Sequence, residues 1–119
     1  MATTVVAQSR KAGATQPNDL DLRRIERAIE ERKRYRYVTA RVHAVRGGYR
    51  IEAPCCSRTV DPDGGLVDIA FLEFDEEAGL WRLFSRNHEE QRWDLSMIYE
   101  RLRDLLDTLN NDPDRKFWQ

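Results

Sequence analysis

Leu66-Val67-Asp68-Ile69-Ala70-Phe71-Leu72-Glu73-Phe74 is nearly continuously apolar and is followed by Asp75-Glu76-Glu77-Ala78-Gly79, an acidic turn signal. An apolar run of this length bounded by turn residues reads as a central strand, predicted here to be buried on both faces over most of its length. It is far too short for a membrane helix, which needs about 20 residues. The fold is built around it.

Downstream, Leu80-Trp81-Arg82-Leu83-Phe84-Ser85 predicts the next strand, and Gln91-Arg92-Trp93-Asp94-Leu95 a short one that completes the sheet. Upstream, Val38, Ala40, Val42 and Ala44 alternate with Tyr37, Thr39, Arg41 and His43, the period of a half-buried strand. Gly47-Gly48 supplies a hairpin turn, and Tyr49-Arg50-Ile51-Glu52-Ala53 returns with the same alternation.

Two helical patterns flank these strands. Asn18 or Asp19 caps the first, in which Leu22, Ile25 and Ile29 form an apolar stripe with Ala28 beside it. Ser96 is the expected cap of the second, with Ile98, Leu102, Leu105, Leu106 and Leu109 on one face and Asn110-Asn111-Asp112-Pro113 as its stop. Phe117 and Trp118 are expected to pack back on the domain. The predicted class is α+β: an N-terminal helix, a four- to five-stranded antiparallel sheet and a C-terminal helix, with both helices on one sheet face. Residues 1–18, rich in Ala, Thr and Gln, read as a disordered tail ahead of a single domain over 19–119.

At 119 residues with 40% apolar and 34% charged side chains, the chain suits one soluble domain with a modest core. No membrane span or secretory leader is apparent, so a cytoplasmic location is expected. The net charge of -1 conceals a split: residues 22–50 hold ten Arg and Lys against three Glu, whereas residues 51–119 hold eight against sixteen acids. Such asymmetry predicts either two faces for different partners or halves that neutralise each other, and the second is preferred.

Several segments, taken in order, resemble a known family. Leu20-Asp21-Leu22-Arg23-Arg24-Ile25-Glu26-Arg27-Ala28-Ile29-Glu30-Glu31, then Gly48-Tyr49-Arg50-Ile51, then the Trp- and Arg-rich run from Leu80 to Trp93, and finally the leucine-rich helix leading to Asp112-Pro113-Asp114-Arg115-Lys116-Phe117-Trp118 are similar to the bacterial domain-of-unknown-function family DUF3024. The resemblance spans about Asn18 to Gln119 and implies a soluble bacterial domain, with no activity to carry over.

Adjacent Cys55 and Cys56 raise a metal or redox question. Structural zinc wants four N or S ligands, and adjacent cysteines lack the two-residue spacer that lets both sulfurs reach one ion. Only His43 and His88 could complete such a set, and they lie in separate elements. A buried cysteine beside an exposed one at a strand end is the preferred reading, so no metal or cofactor is expected. Asp61-Pro62-Asp63-Gly64-Gly65 misses the calcium-loop spacing and reads as a turn between strands. No phosphate loop, G-x-S-x-G or H-E-x-x-H occurs, and Ser85 to Glu90 reads as a solvated turn, so an enzyme is not expected.

Arg32, Lys33, Arg34, Tyr35, Arg36 and Tyr37 interleave cations with aromatic rings, and Arg41 continues the series. With Trp81 and Arg82, residues Arg32, Arg34, Tyr35, Arg36, Tyr37 and Arg41 are the expected partner-binding set, since Arg, Tyr and Trp dominate interface energetics. Another protein is the expected partner. Single-stranded RNA or DNA is the alternative, disfavoured by the acidic last helix. Whether Trp81 or Trp93 faces the core depends on register, because a slip of one residue reverses the assignment.

Overall fold

A computed structural model describes residues 15–34, 36, 38–54 and 65–118. Its elements in chain order are α1 (Asp19–Ile29), β1 (Arg41–Val45), β2 (Gly48–Pro54), β3 (Leu66–Asp75), β4 (Leu80–Asn87), β5 (Arg92–Tyr99) and α2 (Leu102–Asn111). The five strands form one antiparallel meander in the order β1-β2-β3-β4-β5, which places β3 at the centre. The chain is thus α+β, as its periodicities predict.

The Asn18 side chain opens α1 by accepting the Asp21 N–H at 2.8 Å, which satisfies one of the free donors of the first turn. Asp19 and Asp21 near the start and Arg27 near the end complement the helix dipole. Ile25 and Ile29 are fully buried, and the stripe of α2 supplies Leu105, Leu106 and Leu109. Asn110 donates its side-chain amide to Ala28 O at 2.8 Å, and its own carbonyl accepts the Lys33 N–H at 3.2 Å. These bonds draw the C-terminal ends of the helices together.

Residues directly opposite in an antiparallel pair share a face. Tyr49 lies opposite Leu72, Ile51 opposite Ala70, Leu72 opposite Leu83, and Phe74 opposite Trp81. Those side chains join Ile25, Ile29, Leu105 and Leu109 in one core cluster, so both helices cover the same side of the sheet. Phe117 and Trp118 return to that core. Asp112 makes the return possible: 1% exposed and left-handed at φ 39°, it accepts the N–H groups of Lys116 at 2.8 Å, Phe117 at 3.2 Å and Trp118 at 2.8 Å.

Two bulges reset the alternation. Ile69 is an extra residue between the pairs Ile51–Ala70 and Glu52–Asp68, and Ser96 is one between Leu83–Met97 and Phe84–Leu95. The second overturns the predicted start of the last helix. Ser96 lies inside β5, Ile98 is 47% exposed on that strand, and α2 begins only at Leu102 after Arg101. The strand wins because Met97, Ile98 and Tyr99 pair with Leu83, Arg82 and Trp81, so cross-strand contacts outweigh local helical spacing.

Three further expectations need correction. The central strand is covered on one face only, with Phe71 and Glu73 half-buried on the other. The first strand begins at Arg41, leaving Val38 and Ala40 ahead of it. The hairpin turn is Arg46-Gly47, with Gly47 at φ 85°, because Val45 already pairs with Gly48. Gly48 lies inside the sheet for a steric reason: a Cβ there would sit 1.9 Å from the Leu72 carbonyl oxygen. The proposed tail lies outside the described residues over 1–14. Within 15–18, Asn18 donates its backbone N–H to the Tyr49 hydroxyl at 2.9 Å, and that hydroxyl also bonds the Gln16 side chain.

Candidate binding face of the sheet

The alternation that sends Leu72, Trp81 and Leu83 toward the helices sends their neighbours to the opposite face, which no described helix covers. Three strands place an aromatic strip there. Phe71 lies opposite Phe84 with ring centroids 5.7 Å apart, and Trp93 adds its ring 5.9 Å from Phe71. The Arg86 guanidinium sits 5.1 Å above the Trp93 ring, a cation–π contact, and opposite it in the ladder. All four side chains are half-buried, shielded laterally by one another.

Two ionic clusters border the strip. On the β2 side, Arg50 Nη1 donates to Asp68 at 2.7 Å and to Glu52 at 2.9 Å, while His43 Nε2 lies 2.8 Å from the other Glu52 oxygen. The contact with His43, then that with Arg50, holds the Glu52 carboxyl below its usual range, and bonds to Asp68 and Glu52 raise Arg50. Toward the β3–β4 turn, Arg82 donates to Glu73 at 3.0 Å and to Asp75 at 2.6 Å. The Ala78 N–H, followed by Arg82, lowers the Asp75 carboxyl. On this face Arg50, Arg82 and Arg86 already have carboxylate partners, Arg86 having Asp68 at 4.0 Å, whereas exposed Arg41 has none among the described residues.

The expected partner-binding residues divide among three environments. Arg32 is 3% exposed: it donates to Ile29 O at 2.8 Å and Val38 O at 2.5 Å, and stacks 4.5 Å over Trp118. Burial, then the charge of Arg36, lowers its pKa. Arg34 donates to Asp112 O at 2.6 Å beyond the end of α2, and Trp81 is 6% exposed between Tyr49 and Phe74. These three stabilise the domain interior or the chain end. Arg36 and Arg41 are exposed, and Arg41 and Arg82 belong to the uncovered face through their pairing with Glu52 and Glu73. Tyr35 and Tyr37 lie outside the described residues.

Cys55, Cys56 and the Asp61–Gly64 part of the turn also lie outside the described residues; the segment joins β2 to β3, whose ends pair at Pro54 and Leu66. His43 is engaged with Glu52, and His88 stands in the β4–β5 turn, where burial, then Arg86, lowers its pKa. Among the described residues no three His, Cys, Asp or Glu side chains are grouped to hold a metal ion. No described helix is long and apolar enough to cross a membrane.

Phe71, Phe84 and Arg86 were not singled out by the sequence reading. Their signal is present in the alternation of three adjacent strands, and Trp93 joins their side through its pairing with Arg86, two residues from Phe84, which is opposite Phe71.

This meander with two helices on one side and an aromatic strip on the other is a small α+β architecture. The family model for a domain of unknown function, DUF3024, matches residues 13–119, and the chain belongs to that family. A search of curated proteins found no match, and neither did a search of solved structures.

Proposed function

We propose that the chain is a small accessory or regulatory module of the bacterial cytoplasm that binds another protein through the uncovered face of its sheet. The observation that carries this reading is the strip Phe71–Phe84–Trp93 with Arg86 upon it, bordered by guanidiniums that carboxylates already neutralise. An aromatic patch with self-paired charges favours a partner offering apolar side chains and mixed charges, because a polyanion would have to break ion pairs to gain contacts. Arg41 and Arg82 extend the surface, whereas Arg36 stands beside α1, near Glu26, Ile29, Glu30 and Arg32.

A specific observation keeps nucleic acid as the second reading: aromatic rings on an open antiparallel sheet can stack bases, and an arginine beside them can hold phosphate. The two readings separate in a paired assay. Host lysate passed over the immobilised chain should yield a protein retained by wild type and by Arg103→Ala, on the helix side, yet lost from Phe84→Ser and Trp93→Ala. Mixed RNA and DNA oligonucleotides near physiological salt should show no binding. Tight oligonucleotide binding abolished by Arg86→Ala with Trp93→Ala reverses the order.

A further inference from the structure

The end of α1 and the segment leading into β1 form the walls of a cavity of about 440 Å³. That size falls within the roughly 300–1,000 Å³ of small-molecule sites. The Arg32 guanidinium joins the two walls: 3% exposed, it donates to Ile29 O at 2.8 Å and to Val38 O at 2.5 Å, both residues of the lining. Arg36 adds a second cation to the same lining, near enough that its charge, after burial, lowers the Arg32 pKa. Two guanidiniums at one cavity form a receptor for a planar carboxylate.

The α1 wall carries the opposite charge. Glu26 and Glu30, the latter the C-cap, lie one helical turn apart and both line the cavity, and like charges at that spacing repel. Neither forms an ion pair among the described residues, whether with Arg36 or with Arg23 and Arg27 a turn away on α1. An ammonium placed between them relieves that repulsion. Ile29, Val38 and Ala40 supply apolar lining beside both charged pairs.

We infer that this cavity binds a free α-amino acid with an apolar side chain. The carboxylate meets Arg36 and Arg32, the ammonium meets Glu26 and Glu30, and the side chain lies along Ile29, Val38 and Ala40. A zwitterion suits the lining better than a simple anion, which the two glutamates repel. A peptide suits it less, because each added residue carries the charged ends farther apart. The cavity lies against α1 and not on the uncovered face, so the inference does not depend on the protein-binding reading.

The test is a proton–nitrogen correlation NMR titration of the full, untagged chain with L-leucine to about 10 mM, enough to reveal a site of about millimolar Kd. Amide signals of Glu30, Thr39 and Ala40 should shift and saturate. Acetyl-leucine, which lacks the ammonium, and leucine amide, which lacks the carboxylate, should bind at least about tenfold more weakly. Glu30→Gln and, independently, Arg36→Gln should weaken leucine binding by about the same factor with the fold retained, whereas Arg41→Gln, at an exposed arginine of β1, should not. Absence of saturable shifts with leucine overturns the inference, as does binding that both folded variants retain or that the blocked derivatives match. Should one variant fail to fold, the other carries the test.

Discussion

Trp81 and Trp93 lie on adjacent strands of the same sheet, yet one is 6% exposed beneath two helices and the other is half-buried with an arginine upon it. The difference shows how one pleated layer presents a packed face and an open one. On the covered face, Tyr49, Ile51, Leu72 and Leu83 are fully buried and contribute apolar area that stabilises the fold. On the other face, Phe71, Phe84 and Trp93 contact one another but no second layer among the described residues, so their burial is partial.

Neighbours on one strand offer the sharpest way to break this contrast. Leu83 is fully buried on the helix side, and Leu83→Ala should cost about 3 kcal/mol in urea unfolding, the range for a buried leucine. Next in size is Asp112→Ala, which strands the N–H groups of Lys116, Phe117 and Trp118 and should cost about 2 kcal/mol. Loss of the Trp118 docking would show in near-UV circular dichroism. Phe84, one residue from Leu83 but on the uncovered face, should cost only about 1 kcal/mol when changed to Ala, because most of the lost contact is lateral. Equal losses at 83 and 84 would mean that both faces are core.

The smallest expected effect concerns charge. Glu52 has its carboxyl lowered from the ordinary 4.5, so its contribution to stability is present above that value and disappears as pH falls through the lower native one. Glu52→Gln should therefore flatten the acid limb of the stability profile by about 1 kcal/mol or less, with no change at pH values below both. Chemical denaturation at a series of pH values reads this directly.

Much of the fold was legible because its periodicities are clean. Ile25 and Ile29, Tyr49 and Ile51, and Leu105, Leu106 and Leu109 occupy the buried positions that their spacing predicts. Ile98 failed for a physical reason: it sits at helical spacing from Leu102 and Leu105, and only its pairing with Arg82 across the sheet places it on a strand. Local pattern carries no information about a cross-strand neighbour. The make-up of the uncovered face was legible in part. Arg41 and Arg82 lie on it, but Arg32, Arg34 and Trp81 have the composition of an interface and the surroundings of an interior or a capped chain end. Aromatic and guanidinium groups serve both purposes, and the distinction lies in tertiary partners: Trp81 pairs opposite Phe74 on the helix side, and Arg32 and Arg34 reach backbone carbonyls distant from the sheet's open face.

The uncovered face is most directly tested by photo-cross-linking in the native host, with a photoreactive phenylalanine analogue in place of Trp93 in one strain and of Leu102, on the helix side, in another. The account predicts a discrete adduct with a different protein from position 93, weakened by Arg86→Ala, and none from position 102. An adduct formed only from position 102, or one from position 93 that nuclease treatment removes, would contradict it.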